Sequence, residues 1–303
     1  MQLFVNDLTV MDFSYLCAKR GMVGESWIVD VLLDGELNDE SMIQDFGKVK
    51  KDLKRLIDEY VDHKLLVPVE SQCTTITHDP DTDIVQVDFV RQRLTEIDGN
   101  STPQDASIYL RCPDEAYAFV YANEVDINSV RQYLKDIIAT HLPDNVEDIS
   151  LMLRSEVIQT PYYHYTHGLK KHDGNCQRIA HGHRSKVTIF ENGEESINSE
   201  HYWSTRWCDI YIGSTEDLIT PAQMNLVGVK KDLTYANCFQ YIASQGQFEM
   251  AIAKAESEVI SKDTTVECLA EFILQQQSQM YPENSYKVIA FEGVGKGAIA
   301  CDE

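Results

Sequence analysis

Apolar residues recur at helical spacing in three stretches of the chain. Behind Asp45, which can cap a helix, Phe46, Val49, Leu53, Leu56, Ile57 and Tyr60 share one face. From near Asn128 to Thr140 the face is Val130, Tyr133, Leu134, Ile137 and Ile138. The third helix follows a capping box, Thr264-x-x-Glu267, with Leu269, Ala270, Phe272 and Ile273 turned inward. Seven shorter runs read as strands: 26–33, 84–89, 117–121, 149–153, 186–190, 207–212 and 286–291. Asn192-Gly193 is a hairpin turn signal.

The order of these elements repeats. Val130 opens a helix that leads to a strand ending at Glu156, and Val266 opens one that leads to a strand ending at Glu292; the spacing is 26 residues in both. Val23-Gly24-Glu25 and His181-Gly182-His183 each open a strand, although their offset of 158 differs from the 136 of the helices. The expectation is a duplication, with one unit over 1–158 and another over 159–303. Residues 67–122 lie outside the minimal unit and read as an insertion with strands of its own.

Composition changes little in this picture. A chain of 303 residues, 43% hydrophobic and 25% charged, can bury two ordinary cores. The formal charge of −23, from 49 acidic against 26 basic side chains, argues against a nucleic-acid partner. No apolar run approaches the roughly 20 residues that cross a bilayer, and the start lacks a signal-peptide pattern, so the expectation is a cytoplasmic protein without a membrane partner. The eight cysteines are scattered with no C-x-x-C pair, which suits reduced thiols. Locally the charge reverses: between 160 and 187, Lys170, Lys171, Arg178, Arg184 and Lys186 face only Asp173. Such a stretch can receive an anion, or it can be an ordinary solvated loop.

Six of the nine histidines fall between positions 164 and 201. His181 and His183 are two apart at the start of a strand, so both imidazoles point to one side. With His167 from a neighbouring strand they form a candidate three-histidine zinc site with an open position. The bare H-x-H pattern is also that of a half-exposed strand, and His164, His172 and His201 read as bystanders.

The run Tyr163-His-Tyr-Thr-His167-Gly-Leu169, then Cys176, then His181-Gly-His183, resembles the 6-pyruvoyl-tetrahydropterin synthase and 6-carboxytetrahydropterin synthase family. Val288-Ile-Ala-Phe-Glu292-Gly is similar to the family's last strand, and Thr264-Thr-Val-Glu267 to its last helix start. The first half resembles the family through other pieces: residues 29–37, then 42–50, then Val61-Asp62-His63-Lys-Leu-Leu66. That half has Val23-Gly24-Glu25 where the family has H-G-H. The second half has no Asp-His, its nearest counterpart lying near Gln245-Gly246.

The resemblance implies an α+β fold: two tandem tunnelling-fold units, antiparallel sheets with helices on one face, assembling into a barrel and hence a homo-oligomer. It also implies Zn2+ on His167, His181 and His183, and Glu292 as the anchor of a pterin ring. Cys176, Asp62 and His63 would be the catalytic groups, with zinc, Cys176 and Glu292 from the second half and Asp62-His63 from the first, in the same or an adjacent chain. Glu156 would be a vestigial anchor, and the basic cluster Lys170, Lys171, Arg178 and Arg184 would face a triphosphate. The implied activity is a lyase on 7,8-dihydroneopterin triphosphate giving 6-carboxytetrahydropterin, the alternative product being 6-pyruvoyl-tetrahydropterin. Two other readings are a non-catalytic pterin- or nucleotide-binding protein and a purely structural metal site. Asp62-His63 could also be no more than a helix C-cap.

Overall fold

The structure is a computed structural model that describes residues 1–97, 100–171, 178–229 and 232–302. In the first half, β1 (Gln2–Cys17) and β2 (Gly21–Gly35) make a long antiparallel hairpin. Helix α1 (Phe46–Tyr60) follows, its N-terminus capped by the Asp45 side chain, which accepts from Lys48 N–H. Then come β3 (Leu65–Pro68), β4 (Thr74–His78), β5 (Ile84–Phe89), β6 (Gln92–Ile97), β7 (Asn100–Asp105), β8 (Ile108–Pro113) and β9 (Tyr117–Val120). Helix α2 (Ile127–Ala139) and β10 (Val146–Ser155) complete this half.

The second half begins with the hairpin β11 (Tyr162–His167) and β12 (His181–Glu191), then β13 (Glu194–Glu195), α3 (Ile197–Arg206) and β14 (Ile210–Ser214). It continues through β15 (Leu218–Ile219), β16 (Ala236–Ala243), β17 (Gly246–Ala253) and β18 (Ser257–Ile260) to α4 (Val266–Met280), β19 (Tyr286–Phe291) and β20 (Gly297–Cys301). The Asn192-Gly193 turn joins β12 to β13 with both residues at positive φ, as a two-residue hairpin needs.

Two sheets follow one plan. The first has strand order β10-β2-β1-β3-β9; the second has β19-β12-β11-β14-β18, with β20 added beyond β19. Both are mixed rather than antiparallel: β3 runs parallel to β1 and to β9, as β14 does to β11 and β18. After the helix, β3 and β14 each lie beside the first strand of their hairpin and run the same way as it, which the expectation of purely antiparallel sheets overlooked. Alternate residues of β1 and β2 (Met11, Phe13, Trp27, Val29, Val31, Leu33) join the apolar faces of α1 and α2 in one core. Tyr163, Tyr165, Val187 and Ile189 do the same with Trp203 of α3 and Leu269 and Ile273 of α4.

The 67–122 segment does carry strands of its own, and residues 218–253 of the second half carry a matching set that the sequence did not disclose. They merge into a third sheet, β15-β16-β17-β8-β5-β4, through the antiparallel pair β8–β17. Its core, with Val87, Leu110, Phe239, Phe248 and Met250, draws on both halves. A buried Arg91–Glu256 ion pair crosses the same seam.

The two hairpins meet at their glycines. Ser14 sits opposite Gly24 in one, Thr166 opposite Gly182 in the other, and the two hydroxyls hydrogen-bond at 2.8 Å. A Cβ on Gly182 would lie 2.6 Å from Gly24 Cα, and one on Gly24 would collide with the Tyr165 carbonyl and the His183 nitrogen. Only hydrogen fits between the two backbones here. Gly24→Ala should therefore lower stability by about 1–3 kcal/mol, the usual cost of overpacking, as read by urea unfolding. An unchanged midpoint would show that the hairpins separate freely.

Candidate metal centre and its surroundings

In the register of β11 and β12, His167 faces His181 directly and His183 lies two residues along the same strand. Period-two alternation turns all three imidazoles to one side. They are buried, at 0%, 2% and 0% exposure, and one nitrogen from each lies within 4.8 Å of the others. His167 Nδ1 contacts the Thr264 carbonyl at 2.7 Å, which fixes the proton on Nδ1 and leaves Nε2 bare. That Nε2, both ring nitrogens of His181 and Nε2 of His183 have no hydrogen-bond partner among the described residues.

Buried polar atoms without partners are rare, and four on three converging rings suit a cation. An ion about 2.0–2.1 Å from each nitrogen would draw them to roughly 3.4 Å, a small adjustment of the rings. The donor set fits Zn2+. Burial, with the neighbouring His183, holds His167 and His181 well below the usual imidazole range, so both are neutral near pH 7 and have lone pairs to give.

The other half supplies the second layer. Asp12 of β1 is 2% exposed, and its Oδ1 lies 3.2 Å from His183 Nδ1 while also accepting from the Ser26 hydroxyl. Its Oδ2 is 3.0 Å from Lys296 Nζ. Burial alone would raise this carboxyl, but His183, Lys296 and Ser26 outweigh it and hold it ionised. A carboxylate on the far nitrogen of a ligand histidine orients the ring and raises its basicity.

Asp62 and His63 follow α1. The Asp62 carboxylate takes His63 Nδ1 at 2.7 Å on one oxygen and the Asp12 backbone N–H at 2.7 Å on the other. His63 has φ +60°, a left-handed conformation uncommon for a non-glycine residue, and its N–H is tied to the Asp12 carbonyl at 2.7 Å. This places its ring 4.8 Å, centre to centre, from that of His181. The structure thus brings Asp62-His63 beside the histidine triad within one chain.

A pocket of about 260 Å³ opens beside these groups, lined by His63, His181, Leu169, Thr265, Glu292 and Lys296 among others. Glu292 Oε1 is 3.7 Å from His183 Nε2, so its carboxylate borders the same space. Gly293, at φ +68°, lets the turn from Glu292 to Lys296 close against Asp12, where a Cβ would strike the carboxylate. Cys176 and His172 lie outside the described residues.

Several expectations change. Thr265, not Thr264, caps α4, accepting from Cys268 N–H. Thr264 is spent on the site: its hydroxyl donates to Gly168 O while its carbonyl holds His167. His164 is no surface bystander, for it contacts the Gly24 carbonyl at 2.7 Å and lies 3.8 Å from Glu25. The basic cluster does not converge: Lys170 pairs with Glu216 and Asp217, Lys171 with Asp263, and Arg184 stacks on Tyr162. The counterpart of Asp62-His63 is Cys208-Asp209 rather than Gln245-Gly246. It follows α3 as the pair follows α1, and Asp209 shares the positive φ (+54°) of His63.

By the same registers, Tyr15, Val23 and Glu25 stand where the other half has His167, His181 and His183. Three potential ligands there are a phenol, a hydrocarbon and a carboxyl. Burial pushes Glu25 up to about 7, and Asp209 is held by Arg20 at 2.5 Å.

Two measurements check this description. Asp12→Asn should weaken zinc binding by about 10–100-fold, as loss of such an outer partner does, in a chelator competition titration. In metal-free protein, His167 and His181 take up protons more readily unfolded than folded. Their contribution to stability is complete above the unfolded value near 6.5 and lost as pH falls below it. Replacing both by Gln should flatten the urea-stability profile between pH 7 and 5; an unchanged slope would assign the acid sensitivity elsewhere.

Comparison with known proteins bears on the first half. Residues 17–102, which include β2, α1 and Asp62-His63, match the family model of 6-pyruvoyl tetrahydropterin synthase. No curated protein matches the chain. Among solved structures, the 6-pyruvoyl tetrahydropterin synthase of Plasmodium vivax aligns at 14% identity over 51% of this chain and 97% of that one, with TM-score 0.34. The Plasmodium falciparum enzyme aligns at 14% identity over 52% and 91%, with TM-score 0.36. The likeness to the 6-pyruvoyl tetrahydropterin synthase family model is thus confined to residues 17–102.

Proposed function

We propose that this chain is a zinc-dependent lyase acting on 7,8-dihydroneopterin triphosphate, built from two tandem tunnelling-fold units over 1–158 and 159–303. The observation that carries the reading is the approach of an oriented Asp62–His63 pair to three converging buried imidazoles at the edge of one pocket. The same proximity disfavours a purely structural metal site, which has no use for a proton-transfer pair. It also disfavours a binding module that has lost its catalytic groups.

In this reading His167, His181 and His183 hold Zn2+. The ion supplies Lewis acidity, lowering the pKa of protons on the pterin side chain. Glu292 accepts from the ring N–H and amino group and so fixes which edge of the pterin enters. Asp62 orients His63 through Nδ1, and the imidazole takes a proton from the substrate side chain and returns it elsewhere. Lys296, beside Asp12 and Glu292, balances the two carboxylates while the substrate is bound. Cys176 is the second proton carrier. Elimination of triphosphate, with a water molecule supplying the second carboxylate oxygen as the terminal two carbons leave as acetaldehyde, gives 6-carboxytetrahydropterin, the product we favour for a cysteine-type site; 6-pyruvoyl-tetrahydropterin is the alternative. The reading includes closure of several chains into a barrel and a cytoplasmic location. The described residues contain no helix long and apolar enough to cross a membrane.

Incubating zinc-loaded protein with the triphosphate and weighing the product by mass spectrometry separates the two products, and no turnover defeats both. His63→Ala should lower kcat by about 10²–10⁴-fold, the usual worth of a general acid–base, while one zinc per chain is retained. Full activity in that variant would remove the proposed proton carrier.

A further inference from the structure

The histidine triad has a fourth neighbour. Tyr165 stands on β11 two residues before His167 and directly opposite His183. Its ring lies against both, 5.3 Å from each imidazole centre to centre. The side chain is wholly buried, and its hydroxyl has no hydrogen-bond partner among the described residues. Asp12 and Glu292, which approach His183 at Nδ1 and Nε2, are the two carboxylates whose charge reaches that hydroxyl.

A hydroxyl sealed in the interior without a partner is destabilising, because it gives up its bonds to water and gains none. Packing does not require it. In the first half the corresponding residue is Phe13, opposite Glu25 as Tyr165 is opposite His183. Phe13 is equally buried and fills that place in its own core, against Trp27 at 4.9 Å. Two related strands therefore present the same kind of ring, and the hydroxyl occurs only on the strand that holds His167. The extra oxygen answers to the site rather than to the fold.

A phenol is protonated at neutral pH and offers one O–H. Three histidines on one cation leave an open position for a further ligand. The polar atom beside the triad that lacks an acceptor is the Tyr165 hydroxyl, and an oxygen atom at the open position is an acceptor that needs a donor.

We propose that Tyr165 is a ligand-binding residue of this site, its hydroxyl donating to an oxygen atom of an organic ligand that occupies the open position of the triad. The ligand class is one that presents a hydroxyl, carbonyl or carboxylate oxygen. The inference rests on the metal reading proposed above and is independent of which reaction the site performs.

Zinc-loaded wild type and Tyr165→Phe are titrated with acetohydroxamate, an oxygen ligand, and with ethanethiol, whose sulfur is a weak hydrogen-bond acceptor. The variant should bind acetohydroxamate about tenfold more weakly and ethanethiol equally well, with zinc content unchanged. Equal loss for both probes, loss for neither, or no acetohydroxamate binding to zinc-loaded wild type overturns the proposal. Metal-free protein supplies a second readout. Removing an unpartnered hydroxyl should leave the urea midpoint of Tyr165→Phe equal to that of wild type or above it. A lower midpoint, or a variant that fails to fold, would mean that the hydroxyl is bonded within the protein, and the proposal falls. Wild type that takes up no zinc ends the metal reading and the role of Tyr165 together. Zinc uptake with unaltered acetohydroxamate affinity in the variant ends only the latter. Neither titration contains a pterin, so a failed lyase assay has no bearing on the result.

Discussion

The close approach of Gly24 and Gly182 is the constraint on which the arrangement depends. With no Cβ on either backbone, the β1–β2 hairpin can lie against β11–β12 at a distance that lets Ser14 reach Thr166. Everything joining the halves at the histidines follows from that distance. Asp12 reaches His183 across the seam, and the Asp12 backbone in turn receives Asp62 and His63. One strand of the first half thus orients both a candidate metal ligand of the second and the imidazole beside it. The third sheet, shared through β8 and β17, keeps the halves from sliding.

The two halves keep one strand order while parting in chemistry. Gly24 stands ten positions after Ser14, and Gly182 sixteen after Thr166, so the connection within the histidine hairpin is the longer one. At the related position of the first half, Glu25 is paired with His164, where the histidine half has His183 beside Asp12. Acid and imidazole have exchanged strands. The exchange leaves a closed polar network, tied further by Arg20 and Asp209, in place of converging lone pairs.

Much of this was legible in the chain and some was not. Helices α1, α2 and α4 show strong apolar stripes and fall where the periodicity puts them. Helix α3 was missed because its sequence, Ile-Asn-Ser-Glu-His-Tyr-Trp-Ser-Thr-Arg, buries only Glu200, Trp203 and Ser204 and has no stripe to read. Strand β1 was missed although its alternation is present, since Asp12 interrupts the apolar run; that buried charge was the signal for an outer partner of the candidate metal ligands. The triad was legible because it needs only local geometry, His-x-His and a facing strand. Lys296 and Thr264 depend on which loops meet, and no local pattern records that. The merged third sheet was hidden for the same reason: β8 and β17 are more than a hundred residues apart.

The covalent link between halves has a thermodynamic consequence. Where a proton-transfer pair and a metal triad reside on separate molecules, their encounter is second order and dilution pulls them apart. Here His63 and His181 belong to one polypeptide and are already in ring contact. Their effective concentration is set by the fold and is independent of how much protein is present. The juxtaposition therefore persists in every molecule whatever its state of assembly.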